Sequence, residues 1–327
     1  MQFPNPEMFE QWQAFIESKV GFVLPDRQDD WVVHTINRLS KQENITQSEL
    51  LYRASLDNRL AQQVIDAILI PQSRFFRHPS TLTLLAKQFT DYLQSSDESQ
   101  DSYKVWSVGC SYGQETWSIG LVLYHQWQKQ LRKNNDLKNL ASQSSIDAPH
   151  IDDMSKPYSN SQEFVIWGSD VSQTALKHAQ VGIYQSANQY EVPKKYHAYL
   201  QDDTEFNLNE VKPNASMHEV LNRQKTWTPI APIHERVTFF QHNLFEFEKG
   251  LANYPELEAL DAVVCQNVLI YFRQFDQRDI LNHLARRLKI GGLLVVAPGE
   301  ASLWHHPCMQ PVKQKQVTAW RKVSEIT

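Results

Sequence analysis

Residues 105–120 read VWSVGCSYGQETWSIG. The apolar run of Val105, Trp106 and Val108 stops at Gly109, and a turn of small residues continues to Gly113. Gln114-Glu115 then opens a helix-like run from Trp117 to Leu123. Strand, glycine turn and helix form the opening unit of a nucleotide-binding α/β fold, whose glycines let backbone N–H groups approach a ligand closely. An ordinary strand-to-helix turn without a ligand fits the same residues equally well, because a glycine turn is a weak signal by itself.

Moving outward, Phe164–Asp170 (FVIWGSD) reads as a second buried strand that ends in an acid. An acid there accepts hydrogen bonds from ribose hydroxyls. Capping the helix that starts near Ser172 is the plainer alternative. Val237–Phe240, Leu260–Cys265 and Leu293–Ala297 read as further strands, and Asp276–Leu288 as a helix ended by Gly291-Gly292. Val317–Val323 alternates in the manner of an edge strand.

Up to about residue 70 the apolar spacing is helical: Phe9, Trp12, Phe15 and Ile16, then Trp31, Val32, Ile36 and Leu39, and later Leu60, Val64, Ile65, Ile68 and Leu69. Thr46 is a candidate cap with Glu49 three residues on. In PQSRFFRHP, residues 71–79, prolines at both ends exclude a helix interior. Without further context Phe75 and Phe76 pack there and Arg74 and Arg77 are solvated. The first helix of the α/β unit runs to about Leu131, and residues 132–162 are polar enough to read as a surface insertion without chemistry. Residues 184–234 interrupt the strand pattern and read as an inserted subdomain of mixed structure.

Bulk properties narrow the function. A net charge of −5 argues against nucleic acid as a partner, because such binders carry a basic patch or stripe. Cys110, Cys265 and Cys308 are far apart and form no CxxC pair, so a disulfide framework or a structural zinc site is not suggested and a reducing cytoplasm fits best. No signal peptide is visible at Met1–Pro6, and no apolar run approaches the ~20 residues that cross a bilayer, so direct membrane insertion is not expected. His305 and His306 are adjacent with no partner at ligand spacing, and no metal site is expected.

In order, SRFFRHP, WSVGCSYGQETWSIG, GSDVSQTALKHAQVGIY, HNLF, CQNVLIYF and GGLLVVAPGE resemble the chemotaxis receptor glutamate methyltransferases, the CheR family, from about residue 70 to 300. The polar insertion and the enlarged 184–234 region resemble the branch that serves type IV pilus (twitching) signalling. The resemblance implies an α/β class I S-adenosylmethionine-dependent methyltransferase with a Rossmann-like sheet over residues 85–327 and an N-terminal helical domain over residues 1–84. It implies S-adenosyl-L-methionine as cofactor and the cytoplasmic domain of a methyl-accepting chemoreceptor as partner. It also places Ser73 and Arg77 near the cofactor, Glu115 on the methionyl amino group, Asp170 on the ribose, and Asn243 and Leu244 beside the adenine. Gln266 and Asn267 would line the methyl-transfer site, with Tyr271 close to it.

Three departures stand near the implied site: Pro71 where the family usually has asparagine, Gln266 where it has arginine, and Gln114 in place of the first acid of a pair. Each removes a polar or charged contact. The segment up to Ile70 carries six basic and ten acidic residues, whereas the family's receptor-facing helix is typically basic.

The chemistry suits this residue set. A glutamate side chain, with a reference pKa near 4.3, is already ionised at neutral pH, so methylating it needs alignment and exclusion of water rather than a general base. Arg77 suits a carboxylate of the cofactor or the substrate, Tyr271 can orient the incoming glutamate, and Phe75 and Phe76 can wall the site. The expected activity is a protein-glutamate O-methyltransferase that tunes chemotaxis or pilus signalling. Two alternatives stay open: a cofactor- or receptor-binding module with little turnover, and a methyltransferase with another substrate.

Overall fold

Apolar residues at three- and four-residue spacing build the first four helices: α1 (Pro6–Val20), α2 (Asp29–Glu43), α3 (Gln47–Leu56) and α4 (Asn58–Ile68). The computed structural model describes residues 6–23, 29–69, 73–95, 101–143, 163–203, 226–247, 251 and 254–325. Pro71 lies outside them, as do residues 144–162 of the polar insertion and 204–225 of the inserted region. The Thr46 hydroxyl accepts from Glu49 N at 3.2 Å and starts α3, and Asp57 accepts from Arg59 N at 2.8 Å and starts α4. Trp31, expected on the buried face of α2, is instead 44% exposed. Its indole N–H reaches Ile68 O at the end of α4, 2.9 Å away, so the ring stays where its polar edge finds a partner.

Among the described residues, seven strands form the main sheet: β1 (Tyr103–Val108), β2 (Phe164–Asp170), β6 (Val237–Gln241), β7 (Leu260–Cys265), β8 (Leu288–Val296), β9 (Met309–Pro311) and β10 (Thr318–Lys322). Their order is β6-β2-β1-β7-β8-β10-β9, parallel from β6 to β8 and antiparallel from β8 to β9. A smaller antiparallel sheet comprises β3 (Tyr184–Gln185), β4 (Leu200–Asp203) and β5 (Thr226–Pro229), in the order β3-β5-β4. Alternation along the parallel strands sends Trp106, Val263, Cys265 and Leu294 into a core shared with α1 to α4. Val105, Ala262, Val264 and Leu293 enter a second core with α5 (Pro79–Gln94) and α6 (Gln114–Gln143). Covered on both faces, these strands read as nearly continuous apolar runs. The division after residue 84 falls inside α5, whose buried face from Leu82 to Leu93 belongs to the second core.

Three other expectations are corrected. Helix α6 does not stop near Leu131 but continues to Gln143. Its sequence beyond Leu131 is mostly polar, so no apolar periodicity marked the helix. The helix expected over Asp276–Leu288 runs Gln274–Arg286 and ends without glycine. Gly291 and Gly292 sit inside β8 instead, where a Cβ on Gly292 would meet Leu260 O of β7 at 2.7 Å, beside an irregularity in the β7–β8 register. Finally, β10 is not an edge: β9 covers it.

The chain runs outward from β1 through β2 to β6 and then returns to β7 on the other side of β1. This reversal leaves a crevice at the carboxyl ends of β1, β2 and β7, the place where open α/β sheets bind ligands.

Candidate functional site

A cavity of about 140 Å³ occupies that crevice, and its wall includes every residue expected at the cofactor or the transfer site, Phe75 aside. Ser73 and Arg77 precede α5, Glu115 stands in the first turn of α6, Asp170 ends β2, Asn243 and Leu244 follow β6, and Gln266, Asn267 and Tyr271 follow β7.

Gly109 makes the turn after β1 possible. Its φ is +68°, and a Cβ there would stand 2.3 Å from Val268 Cγ2. Only a glycine accepts both the left-handed backbone and the close approach. The turn delivers Ser111 N to Asp170 Oδ2 at 2.8 Å, while Asp170 Oδ1 accepts from Ser172 N at 2.9 Å. Asp170 therefore ties two turns together and is not the helix cap. That role belongs to Ser172, which opens α7 (Gln173–Val181) and accepts from Ala175 N. A carboxylate offers about four lone-pair positions, so these bonds do not use them all. Burial pushes its carboxyl up, with the charge of Asp66 adding to the rise, and the backbone N–H groups of Ser172, Ser111 and Val171 hold it back.

Glu115 Oε1 accepts from the Ser107 hydroxyl at 2.8 Å. Burial, aided by the charge of Glu300, pushes its carboxyl up to about 8 against the pull of Ser107 and Arg77. An acid in this state is short of positive charge, and a cationic ligand group would relieve it.

The other candidates are more committed. Gln266 is buried and its Nε2 donates to Thr81 Oγ1 at 3.1 Å and Val296 O at 3.3 Å. Asn243 Nδ2 donates to Lys19 O of α1 at 2.8 Å, and its Oδ1 accepts from Phe245 N. Asn267, at φ +62°, brings Oδ1 to 2.8 Å from His78 Nε2 and donates its N–H to Glu300 Oε2. The Tyr271 ring stacks on Phe22 at 5.2 Å.

Of the two phenylalanines expected to wall the site, only Phe76 does so, stacked on Tyr196 at 5.0 Å. Phe75 turns away and packs against Tyr184 and Trp227 of the small sheet, at 4.8 and 4.9 Å. Gln114 is buried off the cavity wall. Phe22, His78, Ser111 and His242 line the wall without having been singled out. His78, Ser111 and His242 lie within the quoted motifs, whereas Phe22 reaches the site from a helix connection with no local signal. His242 is held neutral, its pKa lowered to about 4 by burial, and neither its Nδ1 nor the Ser111 hydroxyl has a hydrogen-bond partner among the described residues.

A family profile described as CheR methyltransferase, SAM binding domain, matches residues 71–148 and 204–317. The chain belongs to the CheR methyltransferase family. It is 26% identical over 297 residues to chemotaxis protein methyltransferase Cher2 of Pseudomonas putida, covering 90% of each chain. It is 25% identical over 263 residues to a chemotaxis protein methyltransferase of Listeria innocua, covering 80% of this chain and 78% of that one. A probable biofilm formation methyltransferase, WspC of Pseudomonas aeruginosa, matches at 25% over 269 residues, 81% of this chain and 50% of WspC.

This CheR-family protein is thus a methyltransferase that uses S-adenosylmethionine, and its cavity fits that cofactor. The donor set offers a buried acid whose carboxyl burial pushes up, an acid with free lone pairs at a strand end, and unpartnered polar atoms on Ser111 and His242. Those features suit an ammonium group, a vicinal diol and a heterocycle in one ligand.

Proposed function

We propose that the protein methylates glutamate side chains on the cytoplasmic helices of a chemoreceptor, acting in the cytoplasm and tuning the receptor's signalling state. The observation that carries this reading is Arg77 on the wall that also holds Glu115 and Asp170. The acids suit the amino group and ribose of the cofactor, and the arginine suits a carboxylate. The names of the relatives supply the chemotaxis context.

In this reading Glu115 binds the methionyl amino group and Asp170 the ribose hydroxyls. Leu244 and Asn243 flank the adenine, the latter through its backbone because its side chain is tied to Lys19 and Phe245. Ser73, Gln266 and Asn267 shape the transfer site, and Tyr271, braced by Phe22, orients the incoming carboxylate. The bound cofactor supplies an activated methyl group, and an ionised glutamate needs no base to accept it. The chain's residues align the partners and keep water out.

Label transferred from methyl-labelled S-adenosylmethionine to receptor is expected to leave as methanol in mild alkali, as an ester does. Alkali-stable label would point to nitrogen methylation and sink the carboxylate assignment. Cofactor binding without transfer to any receptor of the same cell would favour a binding module. Arg77→Ala and Asp170→Ala are each expected to weaken S-adenosylhomocysteine binding about tenfold by calorimetry, the scale of a lost charge-assisted hydrogen bond. Unchanged affinity in both removes these role assignments.

A further inference from the structure

Helix α7 begins three residues after Asp170, and Ser172 shares its capping with a residue of another helix. The first N–H groups of a helix have no partner within it. Here Ser172 satisfies Ala175 N through its hydroxyl and Leu176 N through its carbonyl. The two that remain are met by Asp66 of α4: Oδ1 accepts from Gln173 N at 3.1 Å, and Oδ2 accepts from Thr174 N at 3.1 Å and the Thr174 hydroxyl at 2.8 Å. A carboxylate at a helix N-terminus also gains from the helix dipole.

Gln62, one turn earlier on α4, completes the clamp. Its Nε2 donates to Asp66 Oδ1 at 2.8 Å and to Val171 O at 2.9 Å. Gln241 at the end of β6 donates to Gln62 Oε1 and to Val171 O, and accepts from Gln173 Nε2. Every residue from Val171 to Thr174 is therefore hydrogen-bonded to α4, to Gln241 or to Asp170 itself. The turn that carries Asp170 is held by Ser111 on one side and by α4 on the other.

We infer that Asp66 and Gln62 are positioning residues for the cofactor's ribose, holding the 170–174 turn so that Asp170 presents its free lone pairs to the cavity. The inference rests on the ribose role of Asp170. It makes α4 part of the cofactor site although neither residue lines the cavity. The N-terminal helices and their connection also provide Lys19 O to Asn243 and Phe22 to Tyr271, so the cavity is braced from the helical side at three segments.

The test is calorimetric titration of S-adenosylhomocysteine into the full chain and its variants, with the KM for S-adenosylmethionine measured alongside. Asp66→Ala is expected to weaken binding about five- to tenfold, the range of a lost cap and helix-dipole partner, with the loss in KM rather than kcat. Asp57→Ala removes the equivalent cap at the start of α4 without touching the 170–174 turn, and is expected to stay within about twofold of wild type. The double variant Asp66→Ala/Asp170→Ala is expected to bind no more weakly than Asp170→Ala alone, because residues acting through one group are not additive. An unchanged Asp66→Ala beside a weakened Asp170→Ala overturns the inference alone, as does an additive double variant or an equal loss in Asp57→Ala. An unchanged Asp170→Ala overturns the ribose reading and the inference with it. If Asp66→Ala fails to fold, Gln62→Ala carries the same comparison, with the same outcomes deciding.

Discussion

S-adenosylhomocysteine is expected to bind about fiftyfold more tightly at pH 8 than at pH 6, through release of one proton from Glu115. The carboxyl sits at about 8 in the free protein, raised first by burial and then by Glu300, and lowered by Ser107 and Arg77. At pH 6 nearly all of the free protein carries the neutral acid. An ammonium group favours the ionised form, so binding must expel the proton, and affinity climbs about tenfold per pH unit until it levels off near pH 8. Calorimetry in two buffers of different ionisation heat reads the proton directly, and a pH-independent affinity over this range would remove Glu115 from the cofactor. Stability follows the opposite course. A carboxyl whose folded pKa lies above its unfolded value stabilises the fold as the neutral acid, and that contribution is lost as pH rises from about 4.5 to about 8. Glu115→Gln keeps the acceptor for Ser107 and never ionises. It is therefore expected to raise stability above pH 8 by about 1–3 kcal/mol, to change nothing below about pH 4, and to weaken cofactor binding about a hundredfold. Thermal melts at pH 5 and pH 8.5 beside the titrations test both halves.

That Glu115 and Asp170 share one cavity was legible because each follows a strand whose apolar run is local and unbroken. The glycine turn after Val108, the acid closing FVIWGSD and the polar residues after LDAVVC all stand at strand ends, and parallel strands bring such ends together. What stayed hidden depends on contacts between distant segments. Phe75 looked like a wall of the site but finds a better-packed place against Tyr184 and Trp227, more than 100 residues away. Phe22 reaches Tyr271 from a helix connection, and Asp66 looks like any exposed acid until α7 arrives beside it. The far end of α6 was illegible for a simpler reason: its residues after Leu131 are mostly polar, and without apolar spacing the sequence carries no period. Gly291-Gly292 carried a real constraint that was read as the wrong one, since a helix stop and a close strand approach ask for the same residue.

The same reasoning makes Gly109 the most sensitive backbone position in the site. Gly109→Ala is expected to lower kcat/KM about a hundredfold or more, out of proportion to its effect on stability, because a shift of about 1 Å in aligned groups has that consequence. The added methyl meets two obstacles. Its backbone is left-handed at φ +68°, a conformation costing a non-glycine residue about 1 kcal/mol. It would also stand 2.3 Å from Val268 Cγ2, and crowding of this kind typically costs about 1–3 kcal/mol. Val268 has little room to retreat, since it is buried in the core that also takes Leu269. The strain therefore passes along the chain, to Asn267 on one side and to the short turn Leu269–Tyr271 on the other. Both flanks line the cavity, so the variant displaces the transfer site while leaving the sheet beneath it intact. Val268→Ala in the same chain removes both Cγ atoms that the methyl would strike but cannot relieve the backbone. The pair is expected to recover most of the lost kcat/KM while the melting temperature stays below that of wild type. Rescue of activity without rescue of stability separates the two obstacles. If Gly109→Ala turns over like wild type, or if Val268→Ala brings no recovery, the contact between the first turn and the 266–271 loop does not set the geometry of the site.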